Sequence, residues 1–310
     1  ENDRAFVGNH HANTVTVLDI ARMDIVSTIA LPGADGPNGV AYNAATDRVY
    51  VANRNTHNLS IVDAMAGVVV DTLGVGQLPN GVAVQGDWGY VANFGSGSVT
   101  VLDAQRDMIV KTIGVGGGPS LLAQNAETGT VYLASHGGDR VHYLRHGADV
   151  NTHLGIEAPY GLGFDPVSYR LYAANRGKLQ VTLIDVNPNL PGGVIPLARE
   201  PFLVDVNPRT GHVFVVCGDR VLVYDRRDNG LISTLLVGGG AEEGIAVDPK
   251  RNRIYVTNGD ADTVTGESSI TPTAPGAPPA PPDGVSATSG SSASCTATPS
   301  PSACSPATCS

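Results

Sequence analysis

Charge is scarce in this chain: Asp, Glu, Lys and Arg together make up 15% of 310 residues. The balance is acidic, 29 acids against 19 bases for a net charge of −10. That argues against a nucleic-acid binder, whose affinity rests on clustered Lys and Arg. Aromatic residues are few, at 5% with a single Trp. No apolar run approaches the eighteen or more residues of a membrane-spanning helix. The long Ala, Glu, Lys and Leu stretches of bundles and coiled coils are missing as well. Cysteine is sparse and unevenly placed, with three of four in the last sixteen residues. Low charge and this placement suit an oxidising exterior, so an extracellular or cell-surface protein is expected. The chain opens on Glu1 without a visible signal peptide, as a processed secreted product would.

Glycine and proline are plentiful, at 38 and 21 residues, in a chain that is 42% hydrophobic. This balance favours many short strands joined by tight turns. The segments RAFVGN, RVYVAN, GYVAN, TVYLAS, RLYAAN, HVFVVC and RIYVTN recur along the chain. They end at Asn9, Asn53, Asn93, Ser135, Asn175, Cys217 and Asn258, with spacings of 44, 40, 42, 40, 42 and 41 residues. About ten residues after each of the first six comes a phrase such as VTVLD or LSIVD. A third phrase, PNGVAY or PNGVAV in its clearest form, opens the next unit. A fourth apolar stretch, as in VVVDTLGV, completes it.

Each phrase is β-branched and bounded by Gly, Asn, Asp or Pro, which is the pattern of a strand. Four antiparallel strands per period of about 40 residues mark a β-propeller blade. The units resemble the YVTN family of β-propeller repeats, named for the phrase that stands here as Tyr255-Val256-Thr257-Asn258. The resemblance covers roughly residues 3 to 265. It implies an all-β propeller in secreted or surface proteins, including surface-layer domains, and supplies no shared catalytic residues.

The four phrases occur six, seven, six and six times, twenty-five strands in all. Seven copies of the second phrase favour seven blades, with six as the alternative. In a seven-bladed ring the first blade lacks its first strand and the last lacks its third and fourth. Asp262-Thr263-Val264-Thr265 reads as a third strand that begins and stops. Open edges recruit strands, either from the tail or from a neighbouring molecule.

The domain reading is a propeller over 1–265 and a Pro/Ser/Thr/Cys-rich tail over 266–310. The tail holds nine prolines and no aromatic residue, a composition that favours extended polyproline II. Its Thr271, Thr273, Ser286, Thr288, Thr296 and Thr298 are candidates for O-linked sugar. Cys295, Cys304 and Cys309 do not fit a zinc site. With Cys217 they are candidates for disulfides whose pairing the sequence leaves open, and a buried free Cys217 is equally compatible.

The loops after the second and fourth strands share one face of a propeller, around the mouth of the central channel. They supply His10, His11, Arg54, His57, Phe94, His136, Arg176 and Asp260, and Asn38, Asn80, Tyr160, Phe202, Glu242 and Glu243. From these the candidate ligand-binding set is Arg54, His57, His136, Tyr160, Arg176, Glu242 and Glu243. The recurring Asn reads most simply as a turn former whose side-chain oxygen satisfies loop donors. Pro-Asn-Gly reads as turn chemistry, with Gly accepting a left-handed conformation. GxSxG, HExxH, Walker and EF-hand patterns are absent. No cofactor or metal is expected.

The reading is a non-catalytic extracellular scaffold or interaction propeller with protein partners, self-assembling through its open edges and tail. The alternatives are a propeller that binds a carbohydrate, peptide or metal at its channel mouth, and, behind it, a lactonase- or lyase-like enzyme.

Overall fold

The computed structural model describes residues 3–187, 189–238, 240, 244–268 and 293–296. Seven antiparallel sheets follow one another around a ring, as the seven repeated phrases require. The second blade is typical. Its strands, from the axis outward, are Pro37–Asn43, Arg48–Asn53, Asn58–Asp63 and Val68–Gly74. Blades three to six repeat this order, with inner strands Pro79–Gln85, Pro119–Asn125, Pro159–Asp165 and Leu203–Asn207. Apart from three single 3-10 turns, the described residues form only strands and loops.

Burial follows radius. Val49, Tyr50, Val51 and Ala52 in the second strand are fully buried, because neighbouring blades cover both faces of the sheet. The outer strand is largely exposed, with Val68 and Val70 about half accessible. Apolar clusters fill the spaces between adjacent blades. Phe6, Val15 and Ile29 of the first blade pack on Val40, Val49 and Val62 of the second.

The tyrosine of the second-strand phrase ties three of these seams. The Tyr50 hydroxyl donates to the Ala104 carbonyl of the next blade at 3.2 Å and to Asp107 at 2.5 Å. The Tyr90 hydroxyl accepts the Gly147 N–H at 3.0 Å. Tyr255 of the seventh blade donates to the Ile20 carbonyl of the first at 3.3 Å. The ring therefore closes with the same contact that holds two of its interior seams.

The closure departs from the expected strand count in two places. The seventh blade has a complete third strand, Thr263–Ser268, paired along its whole length with Arg253–Asn258. It thus holds three strands among the described residues, counting the inner Ile245–Asp248. The vacant inner position of the first blade is taken by Ala293–Thr296 from the tail, antiparallel to Arg4–Asn9. The chain fills that edge with its own strand, so of the two sources expected from the sequence, tail or neighbouring molecule, it is the tail that pairs with the first blade.

Pro-Asn-Gly also differs from its expected role. Pro37 and Pro79 start the inner strands themselves, and Gly39 and Gly81 lie inside them. The left-handed residue is the one before each proline: Gly36, Leu78, Gly118 and Ala158 have φ between 45° and 67°. Gly39 is needed for space. A Cβ there would stand 2.3 Å from the Asn80 carbonyl oxygen, where inner strands converge on the axis.

Candidate functional site

The Asn that ends five of the seven second strands is buried and works through its nitrogen. Asn9 Nδ2 donates to the hydroxyls of Thr14 and Thr16, both at 2.8 Å. Asn53 donates to Asn58 Oδ1 at 2.7 Å and Ser60 Oγ at 2.8 Å. Asn93, Asn175 and Asn258 repeat the pattern. The residue clamps the second strand to the third, at positions five and seven further on. Its expected role as an oxygen acceptor for loop donors holds at Asn93, whose Oδ1 accepts the Gly76 N–H at 3.1 Å. The Oδ1 atoms of Asn9, Asn53, Asn175 and Asn258 are buried without a protein donor. The Asp that closes the third strand forms the following turn: Asp19, Asp63 and Asp103 each accept two loop N–H groups.

With Asn held inside, the next residue turns toward the following blade at the channel mouth. Arg54 lies over the Phe94 ring, 5.4 Å from its centroid, and donates to Asn80 Oδ1 at 3.2 Å. His136 meets Tyr160 edge to face at 6.1 Å. Arg176 lies 5.1 Å from the Tyr160 centroid and 4.3 Å from that of Phe202. Arg176 Nε also donates to Glu200 Oε1 at 2.8 Å. Both partners of that ion pair are partly exposed, so the pair contributes at most about 1 kcal/mol and serves mainly to orient the guanidinium. His10 occupies the same position in the first blade. Burial, followed by the neighbouring His11, lowers its pKa below the ordinary histidine value, and Arg54 acts in the same direction.

Of the expected site residues, His136, Tyr160 and Arg176 come together in one cluster. Arg54 forms a second group with Phe94 and Asn80. His57 belongs to neither: it adopts φ 56°, and its Nδ1 accepts the Leu78 N–H at 3.2 Å, so it supports a loop. Glu242 and Glu243 lie outside the described residues. So do Cys304, Cys309, Thr271, Thr273, Ser286, Thr288 and Thr298. Cys295 and Thr296 fall on the tail strand, which is described by its backbone pairing. Cys217 is a free, buried thiol whose pKa burial pushes up to about 12. Glu200 was missed. Its signal was available, since it is the acid immediately before Pro201 in a mouth loop.

Inside the mouth is a cavity of about 130 Å³ at the upper ends of the inner strands. Asn38 stands at its rim, and Val40, Val82, Leu122, Leu162 and Ile245 line its wall. Below, the inner strand of the sixth blade carries Asp205 where others have Ala41, Ala83 or Ala246. Burial pushes its carboxyl up to about 6, against the lowering effect of N–H donors from Val206 and Val247. Among the described residues, no three His, Cys, Asp or Glu side chains converge to hold a metal ion. None of the described helical segments is long and apolar enough to cross a membrane.

No family model matches the chain. An 84-residue stretch is 32% identical to the uncharacterized protein YncE of Salmonella typhi, covering 27% of this chain and 23% of that protein. The chain thus spans about a quarter of that relative's length. Solved structures match far more broadly. Kuenenia stuttgartiensis hydrazine synthase superposes with a TM-score of 0.72 at 18% identity, over 85% of this chain and 92% of the other. A functionally unknown protein from Desulfotomaculum acetoxidans gives 0.70 at 13%, over 86% and 92%. The dihydro-heme d1 dehydrogenase NirN, in complex with DHE, gives 0.67 at 16%, over 89% and 64%. The chain is a seven-bladed β-propeller. At these identities the likeness extends to the fold alone, and the chemistry of the enzymes among these neighbours stays with them.

Proposed function

We propose that the protein is a non-catalytic interaction propeller of the YVTN type, working outside the cell or on its surface. It holds a glycan or peptide partner at its channel mouth. The observation that carries this reading is the Arg176 guanidinium, oriented by Glu200 and set against the rings of Tyr160 and Phe202. Aromatic faces beside fixed donors and acceptors are the chemistry of recognition of polar ligands. The expected surface location rests on the charge-poor composition and the Ser/Thr/Pro tail, which suits a sugar-bearing spacer.

Glycan and peptide arrays, followed by calorimetry on each hit, test the proposal. Arg176→Ala is expected to weaken binding at least tenfold while leaving the melting temperature close to wild type. Binding that survives this substitution removes the mouth from the case. Turnover in a lactonase and lyase screen would replace a binding role with an enzymatic one.

A further inference from the structure

The sequence holds four Asn-Gly pairs: Asn38-Gly39, Asn80-Gly81, Asn229-Gly230 and Asn258-Gly259. In such a pair the glycine nitrogen can reach the asparagine side-chain carbonyl carbon, because no Cβ on the second residue stands in the way. The approach requires both residues to leave their folded dihedrals, so the surroundings decide which pair reacts.

Three of the pairs are held inside blades. Asn38 and Asn80 belong to the inner strands, and Gly39 and Gly81 each lie against the backbone of the next inner strand. Asn80 is also buried, with its Oδ1 on Arg54. Asn258 is buried and donates to Thr263 and Thr265. Reaction at any of these needs a blade to open.

Asn229 stands elsewhere, in the turn between the third strand, Arg220–Asp225, and the fourth, Leu231–Leu236, of the sixth blade. Asn229 is half-exposed and Gly230 exposed, and neither belongs to a strand. The Asn229 Oδ1 is shielded from water without a protein donor, so no hydrogen bond to that oxygen anchors the side chain. Local bonds alone hold the backbone. The Asn229 N–H donates to the Asp225 carbonyl at 2.8 Å, the Asp225 N–H to the Gly230 carbonyl at 2.9 Å, and the Gly230 N–H to Asp228 Oδ1 at 2.8 Å. Asn229 has φ 57°, a left-handed position that Met23, Gly67 and Asp107 fill in the first three blades. Those residues are followed by Asp24, Val68 and Met108, whereas the sixth blade places Gly after Asn.

We propose that Asn229 is a site of deamidation in the folded protein. The Gly230 nitrogen bonds to Asn229 Cγ and gives its proton to solvent, while the bond from Cγ to the side-chain nitrogen breaks and ammonia leaves. Water then opens the succinimide ring at one of its two carbonyls, which yields aspartate or isoaspartate. Aspartate at this position repeats Asp107 of the third blade. Isoaspartate adds a main-chain carbon just before the fourth strand, whose pairing begins with Leu231 opposite Tyr224. The modification is independent of the channel mouth.

Incubation of the folded full chain at pH 8 and 37 °C, followed by peptide mapping with mass spectrometry and isoaspartyl methyltransferase labelling, is the test. Asn229 should lose its amide, mainly to isoaspartate, at least about tenfold faster than Asn38, Asn80 or Asn258, because its turn opens without a blade opening. In urea the four pairs should react at comparable rates. Gly230→Ala should slow the reaction about tenfold, since the new Cβ crowds the attacking nitrogen. That variant fits the fold, because Gly230 lies outside the left-handed region and a Cβ would meet only the exposed Asp228 carboxylate, at 3.0 Å. An Asn229 that stays intact in the folded chain, an inner-strand pair that reacts as fast, a preference that persists in urea, or an unchanged rate in Gly230→Ala overturns the proposal. The wild-type time course decides the matter even if Gly230→Ala does not fold.

Discussion

The carboxylate of Asp205 accepts the Val247 N–H at 2.9 Å, joining the inner strands of the sixth and seventh blades across the channel wall. Among the described residues no cation pairs with it, and burial holds its pKa up at about 6. The folded state therefore binds this proton more tightly than the unfolded chain does. The stability it contributes is complete below the ordinary carboxylate pKa and is lost as pH rises through about 6. Asn in its place keeps an oxygen for Val247 and carries no charge.

Asp205→Asn should consequently melt at a higher temperature than wild type at pH 7 and at a similar temperature at pH 4. Comparing the two proteins cancels the opposing trend from Asp19, Asp63 and Asp103, whose N–H and Arg partners hold their carboxyls low. Thermal scans across pH 4 to 8 check it. A variant less stable at pH 7 would show that the ionised carboxylate is well solvated in the channel.

Asn53→Ala removes one buried and one partly buried hydrogen bond and strands the fully buried Ser60 hydroxyl. The expected cost is about 1–3 kcal/mol in denaturant unfolding. Because the Asn recurs, Asn9→Ala and Asn93→Ala should fall in the same range. A cost near zero in all three would make the clamp ornamental.

Gly39→Ala places a methyl 2.3 Å from a backbone oxygen that cannot step aside. A loss of about 3 kcal/mol is expected, the upper range for overpacking. Gly74→Ala, where nothing lies within 4 Å, should stay within about 0.5 kcal/mol. Equal effects at the two positions would mean that the inner strands are not closely packed.

Deleting residues 293–310 uncovers the edge of Arg4–Asn9 that the tail strand now pairs. The truncated chain should melt at a lower temperature, and light scattering should detect self-association through the bare edge. Ser294→Pro should reproduce the drop in melting temperature, since proline cannot donate to the ladder. A truncation that melts like wild type would show that the tail strand adds nothing to ring closure.

Much of this was legible in the residues. The spacing of Asn9, Asn53 and Asn93 marks out blades, because strands two residues per pleat and turns of fixed chemistry repeat at the same length. Thr263-Val264 was undervalued as a strand because no fourth phrase follows it, although a third strand needs only its own blade. The mouth residues were found from topology, but the grouping of His136, Tyr160 and Arg176 apart from Arg54 was not. That grouping depends on how far each side chain reaches into the next blade.

Local pattern alone thus determined the strands, the seven-fold repeat and the face on which loops gather, since these follow from near-neighbour chemistry. Tertiary structure decided what distant segments share: Ala293–Thr296 beside Arg4–Asn9, Gly39 against the Asn80 carbonyl, and the Asp205 carboxylate on the Val247 N–H of the next blade. Each arises because ring closure brings residues from separate repeats to one axis, where space and dielectric are set by neighbours that no single repeat encodes.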